Sequence, residues 1–202
     1  VTHKWMGENV AEVIIRSDDP NAWDVVPVGS GAAVDAHRYT GDATDWYRKN
    51  VGWASFDGRG SPLKVIAHDN RILQTFSDGT TATNNENAFW DGSGGMHYGD
   101  GSLHQGGNVK PTSCALDVVG HEFTHGVTQY TSQLAYQNQS GALNEAMSDI
   151  FGVYIEDAYA PPGSATFSIG EAAWPDGGIR DMAHPKTKNM PDNMKELYTG
   201  AN

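Results

Sequence analysis

Residues 117–125 read Asp117-Val118-Val119-Gly120-His121-Glu122-Phe123-Thr124-His125. Two histidines four apart, with a glutamate directly after the first, form the H-E-x-x-H pattern. On an α-helix, residues four apart lie about 40° apart around the axis and one turn along it. Both imidazoles therefore leave one face and can hold one small cation. Imidazole nitrogens suit zinc, a borderline-soft ion. Glu122 points away from the ligand direction of His121 and is placed to act as a base toward a water on the metal. With only two donors, the bland alternative is a polar helix face with two solvated histidines, so the reading needs a third ligand from another element.

Gly141-Ala142-Leu143-Asn144-Glu145-Ala146-Met147-Ser148-Asp149 offers one. Leu143, Ala146, Met147, Ile150 and Tyr154 recur at helical spacing, and Ser140 and Gly141 read as the helix start. Glu145 and Asp149 are four apart and share a side. Charged groups on a packed helix face are costly without partners. Glu145 as third zinc ligand, with Asp149 accepting a hydrogen bond from a ligand histidine, gives both a partner. An ordinary solvated carboxylate pair is the competing reading.

Composition sets the outer bounds. The chain has 202 residues, 24 glycines and a formal charge of −12. That length suffices for one large domain or two small ones. The acidity argues against a nucleic-acid partner, because the basic footprint is missing. No apolar run approaches a membrane span, so no membrane partner is expected. The single cysteine, Cys114, excludes an intrachain disulfide and reads as a small buried residue.

Along the chain, Val10 to Ile15 reads as a strand ended by Asp18-Asp19-Pro20, and Gly29-Ser30-Gly31 as a loop. A helix is expected from Asp35 to Asn50, with Ala36, Tyr39, Ala43, Trp46 and Tyr47 near helical spacing. Leu63 to Ala67 reads as a short strand, and Ser77 to Asn85 as a polar hairpin connection. The helix bearing the histidine pair is expected from Ala115 to Tyr130. His68, His97 and His104 lie outside any ligand spacing and read as satisfied or solvated. Asp91-Gly92-Ser93-Gly94-Gly95 is no phosphate loop, since neither a Lys-Ser/Thr nor a helix follows.

His121-Glu122-x-x-His125 followed by Gly141-Ala-Leu-Asn-Glu-Ala-Met-Ser-Asp-Ile-Phe-Gly152 resembles the thermolysin family of bacterial neutral metallopeptidases. Asn87-Ala-Phe-Trp90 and Met96-x-Tyr-Gly-Asp-Gly101 resemble that family's substrate-binding edge strand and the loop beyond it. Ile179-Arg180-Asp181-Met182 fits the same family, and the likeness runs from about Val34 to the last residue. The resemblance implies an α+β, zincin-like fold. In it a strand-rich, mostly antiparallel lobe with one helix (1–110) leads into zinc-binding helices and a calcium loop (111–202). It implies a secreted zinc endopeptidase, present here as a processed form of a zymogen, acting on peptide or protein substrates.

The resemblance also assigns roles. Glu122 is the base, and Tyr136 donates to the tetrahedral oxyanion. Asn144 supports a ligand histidine. Asp117, Glu156 and Glu171 hold calcium, one ion rather than two, because Thr166 and Ser168 stand where further acidic ligands are expected. The Asn87 side chain and Ala88 carbonyl hold the substrate backbone, an arrangement an exposed strand edge provides. Val118, Ile169 and Ile179 form the apolar pocket for the residue after the scissile bond, and Arg180 holds that residue's carbonyl. Relatives continue past Asn202 into a helical lobe with a further oxyanion-donating histidine, for which His184 is no counterpart. The favoured expectation is one piece of a cleaved enzyme whose other piece is separate or unseen, with a truncated natural or recombinant product as the competing explanation. Two rival readings stay open: a zinc- and calcium-binding lobe without activity of its own, and a purely structural zinc, which would need a fourth protein ligand.

Overall fold

A computed structural model describes residues 3–5, 13–16, 31–69, 73–75, 81–103, 106–164, 166–193 and 196. Strands β1 (His3–Trp5) and β2 (Val13–Arg16) precede helix α1 (Ala32–Val51), and β3 (Leu63–Ile66), β4 (Leu73–Thr75), β5 (Thr81–Thr83), β6 (Ala88–Trp90) and β7 (Gly95–Tyr98) follow it. Helices α2 (Leu116–Tyr130) and α3 (Asn138–Tyr159) follow, then the short strands β8 (Ser168–Ile169) and β9 (Arg180–Asp181). The main sheet has the order β1-β2-β3-β7-β6. Its β2–β3 and β3–β7 pairs are parallel; the other described pairings, β4–β5 and β8–β9 included, are antiparallel. The sheet itself is thus mixed within an α+β fold.

Strand β6 lies at the sheet edge. Asp91 N–H donates to the Gly95 carbonyl at 2.9 Å and Gly99 N–H to the Asn87 carbonyl at 3.0 Å. Antiparallel strands alternate the side to which backbone groups point. Asn87, Phe89 and Asp91 therefore face β7, and the backbone of Ala88 and Trp90 faces outward.

Helix α1 buries Ala33, Ala36, Ala43 and Tyr47 on one face and stops at Gly52, whose left-handed φ of 69° suits glycine. The core joins this face to Leu63 and Val65 of β3, Met96 and Tyr98 of β7, Val119 and Phe123 of α2, and Ile155 of α3. Each large side chain fully buried there contributes about 1.5–3 kcal/mol. Two glycines let α2 and α3 approach closely. A Cβ on Gly152 would sit 2.5 Å from the Asp117 carbonyl oxygen, and one on Gly120 3.1 Å from Gly152 Cα. That proximity brings a residue of α3 within reach of the α2 histidines.

Several elements differ from the sequence expectations. Helix α1 starts at Ala32 rather than Asp35, and α3 at Asn138 rather than Ser140; neither start has a side-chain cap to announce it. Residues 95–98, expected within a loop, form the inner strand β7, because both neighbouring strands hydrogen-bond to it. Thr81–Thr83, expected as loop, pairs with β4. The breaks at Asp18-Asp19-Pro20 and Gly29-Ser30, the first part of the Val10 strand, and His104 lie outside the described residues. Cys114 is half-buried, its thiol pushed up to about 11 chiefly by burial.

Candidate metal centre and active-site cleft

His121, on the buried side of α2, and His125, one turn on, turn their Nε2 atoms toward each other at 2.9 Å. Glu145 of α3 faces both: its carboxylate oxygens lie 3.4 Å from His121 Nε2 and 3.3 Å from His125 Nε2. Bonds of about 2.0–2.1 Å around a tetrahedral ion give ligand–ligand edges of about 3.3 Å, so this donor triangle fits zinc. One donor atom from each of the three lies within 4.8 Å of the others. Nitrogen and oxygen donors in this proportion suit that ion.

Each ring is held from behind. Asp149 Oδ1 lies 2.7 Å from His121 Nδ1, and Arg180 closes on the same carboxylate through Nε at 2.6 Å and a terminal nitrogen at 2.7 Å. His125 Nδ1 meets Asn144 Oδ1 at 2.8 Å and Ser148 Oγ at 3.1 Å. Such partners fix ring orientation and tautomer. Burial lowers the His121 pKa, but Asp149, Glu145 and Glu122 outweigh it and lift the ring to about 9. Burial raises the Glu145 pKa, while hydrogen bonds from His121, His125 and Tyr136 hold it well below the usual carboxylate range.

Glu122 is only 6% exposed. Burial pushes its carboxyl upward, against the pull of His121, His125 and the facing Trp90 backbone N–H. Tyr136 stands at the rim, 70% exposed, with its hydroxyl donating to Glu145 Oε1. These groups open into a cleft of about 910 Å³ that also reaches Asn87, Ala88, Val118, Ile169, Ile179 and Arg180. Val118 and Ile169 are buried in its wall, whereas Ile179 is 37% exposed. The structure therefore gathers around one cavity the residues proposed for metal, base, oxyanion and substrate contacts.

A second cluster lies behind α2. Oxygens of Asp117, Glu156 and Glu171 fall within 4.8 Å of one another. Asp117 accepts from the N–H groups of Val118 and Gly170. Thr166 donates to Glu171 Oε1, but Glu156 Oε2 and Glu171 Oε2 are buried without a hydrogen-bond partner. Burial and then the neighbouring carboxylates push Glu156 up to about 8. Burial first, opposed by the Gly170 N–H and aided by Glu171, pushes Asp117 to about 6. Orphaned oxygens among like charges fit a hard cation such as calcium.

Of the histidines outside ligand spacing, His68 and His97 each have a carboxylate partner on Nδ1, while His68 Nε2 is buried without a partner. His68 Nδ1 meets Asp100 at 2.5 Å, and His97 Nδ1 meets Asp69 at 2.6 Å while stacking on Phe89.

The same chain can be set beside known proteins. The model of the thermolysin metallopeptidase catalytic domain matches residues 2–129, and that of the thermolysin metallopeptidase alpha-helical domain matches residues 132–202. The chain belongs to the thermolysin metallopeptidase family. Bacillolysin of Bacillus caldolyticus is 41% identical over 173 residues, which is 84% of this chain and 28% of that protein. An extracellular elastase of Staphylococcus epidermidis is 39% identical over 175 residues, 84% of this chain and 31% of its own length. The chain thus spans under a third of these relatives. Among solved structures, a precursor of protealysin, a metalloproteinase from Serratia proteamaculans, superposes with a TM-score of 0.75 at 26% identity, covering 98% of this chain and 64% of that one. As a member of a metallopeptidase family, the thermolysin-like chain is implied to use a metal cofactor. The two family matches meet between α2 and α3, so His121 and His125 fall in one and Glu145 in the other.

Sequence reasoning missed Ser148 behind His125, and the Trp90 N–H that reaches Glu122. It also missed Gln129, whose side chain bonds the Trp90 indole and the Gly92 carbonyl. Helical spacing carried a signal for two of these. Ser148 is four residues after Asn144, and Gln129 four after His125. A backbone donor carries none.

Proposed function

We propose that this chain forms the catalytic cleft of a secreted zinc endopeptidase that cuts before a hydrophobic residue. The observation that carries this reading is the convergence of His121 Nε2, His125 Nε2 and the Glu145 carboxylate beside a buried Glu122. No fourth protein ligand joins that cluster among the described residues, which favours a catalytic over a closed structural site. A zinc ion bound there supplies a Lewis acid and lowers the pKa of its water to about 7.

Glu122 takes the proton of the attacking water and returns it to the leaving amine. Its burial raises its proton affinity above that of a solvated carboxylate. Tyr136 exchanges its hydrogen bond to Glu145 for one to the developing oxyanion. Ala88, facing outward from β6, and the Asn87 side chain hold the substrate backbone in extended form. Val118, Ile169 and Ile179 receive Leu, Ile, Val or Phe, with weak discrimination among them, since a methylene is worth about 1–3 kcal/mol. Arg180, steadied by Asp149, faces that residue's carbonyl. Asp117, Glu156 and Glu171 hold one calcium; the Thr166 hydroxyl already engages one Glu171 oxygen. The division into 1–110 and 111–202 separates the strand edge from the ligand helices. Extracellular action is supported by the name of the staphylococcal relative.

A second reading rests on α3. Leu143, Ile150 and Tyr154 are 51%, 39% and 56% exposed along one helical stripe. This favours a metal-binding lobe with little activity until a complementing C-terminal helical chain covers that face. A furylacryloyl-peptide assay on the 202-residue chain, with and without a zinc chelator, separates the two. Chelator-sensitive cleavage by the chain alone supports the first reading, and cleavage appearing only with an added helical chain supports the second.

A further inference from the structure

The Trp90 ring occupies a slot on α2. It lies 5.1 Å from the Phe56 ring, and Phe56 in turn packs on Tyr130 at 5.3 Å. The slot exists because residue 126 is glycine. A Cβ there would stand 2.9 Å from Phe56 Cβ and 3.1 Å from the Trp90 ring. Gln129 closes it. Its Oε1 accepts from the Trp90 indole N–H at 2.7 Å, and its Nε2 donates to the Gly92 carbonyl at 3.0 Å. A carboxamide offers an acceptor and a donor on separate atoms at one side-chain end. His121, His125 and Gln129 follow at four-residue steps on one face of α2, so the helix that carries two metal ligands also grips the edge strand.

Trp90 has a second attachment on its backbone. Its N–H, turned outward from β7, faces the Glu122 carboxylate and opposes the rise of its pKa. The carbonyl of Ala88, two residues back, faces the same way. The position of one indole therefore sets both the edge that meets substrate and the carboxylate that moves protons.

We propose that Gly126 and Gln129 are positioning residues that act through Trp90, seating its indole so that β6 and Glu122 keep their spacing across the cleft. This rests on the peptidase reading for its kinetic consequence, but not for its structural one.

Gly126→Ala makes a direct test. In a helix interior this change is normally favourable by about 0.5–1 kcal/mol, so the fold is expected to survive the crowding. Gln129→Met removes both hydrogen bonds without adding atoms to the slot, and Trp90→Phe removes the indole N–H together with part of the ring that fills the slot. Hydrogen exchange across residues 88–95 is expected to quicken about tenfold in Gly126→Ala and about threefold in Gln129→Met. Zinc content should stay equal to that of the parent protein. For peptides spanning the cleft, kcat/KM should fall about tenfold in Gly126→Ala, with kcat and KM both affected because base and edge move together. Gln129→Met and Trp90→Phe should be non-additive, since they break one contact. Unchanged exchange at 88–95 in both Gly126→Ala and Gln129→Met overturns the proposal, as does additivity of the Gln129 and Trp90 changes in that exchange. If the parent chain cleaves no peptide, the peptidase reading fails while the exchange data still decide this one.

Discussion

The two candidate cation sites, one formed by α2 and α3 and the other by these helices with Glu171, are built oppositely. At the first, His121 and His125 are tied down by partners from behind, Glu145 meets both rings and the Tyr136 hydroxyl, and opposite charges face one another. At the second, Asp117, Glu156 and Glu171 face like charges, and two oxygens have no partner at all. One site has donors that the fold already orients; the other crowds like charges that the proposed calcium would relieve. A preorganised site can serve chemistry, because its geometry does not wait for the ligand. A crowded one serves stability, because its ligand relieves a cost already present in the fold.

The largest effect expected on the first site comes from Glu122→Gln. Peptide turnover should fall by about 10²–10⁴-fold, with zinc stoichiometry by atomic absorption unchanged. Full turnover in that variant would remove Glu122 from its role.

At the second site, calcium at about one hundred times its dissociation constant should add about 2.7 kcal/mol, or roughly 5–10 °C in thermal midpoint. The pH dependence follows from the raised carboxyls. Glu156 at about 8 and Asp117 at about 6 stand above their unfolded values, so folding favours their protonated forms. In calcium chelator, stability should fall as pH rises from about 4.5 to about 8. With calcium, which binds the ionised groups, thermal scans over the same window should be nearly flat.

Asp149→Ala probes the support behind His121 and should weaken zinc binding by about 10–100-fold in competition with a chromophoric chelator. Glu156→Gln is the smallest change and the sharpest contrast. In chelator at pH 8 it should raise stability by about 1 kcal/mol, roughly 2–4 °C, while abolishing the calcium response. Removal of a charge from the histidine site should give no such gain in the same scans.

Much of the first site was legible because helices write contacts as spacing. His121 and His125, and Glu145 and Asp149, are each four apart, and either pair alone places its members on one face. The approach of the two helices was less legible; it depends on Gly120 and Gly152, whose packing role shows only where the backbones nearly touch. Helix starts at Ala32 and Asn138 were missed because Gly31 and Gln137 provide no side-chain cap. Strand β7 was read as loop because its glycine and polar neighbours hide an inner strand held by backbone bonds on both sides. The grip of Gln129 on Trp90, 39 residues apart in sequence, belongs to tertiary structure alone.

Anomalous diffraction at the zinc absorption edge, from crystals grown with equimolar zinc, bears most directly on the peptidase account. The expected result is a single strong peak about 2.0–2.1 Å from His121 Nε2, His125 Nε2 and a Glu145 oxygen, with no fourth protein atom bound. A peak elsewhere, or a closed four-residue site, would contradict it.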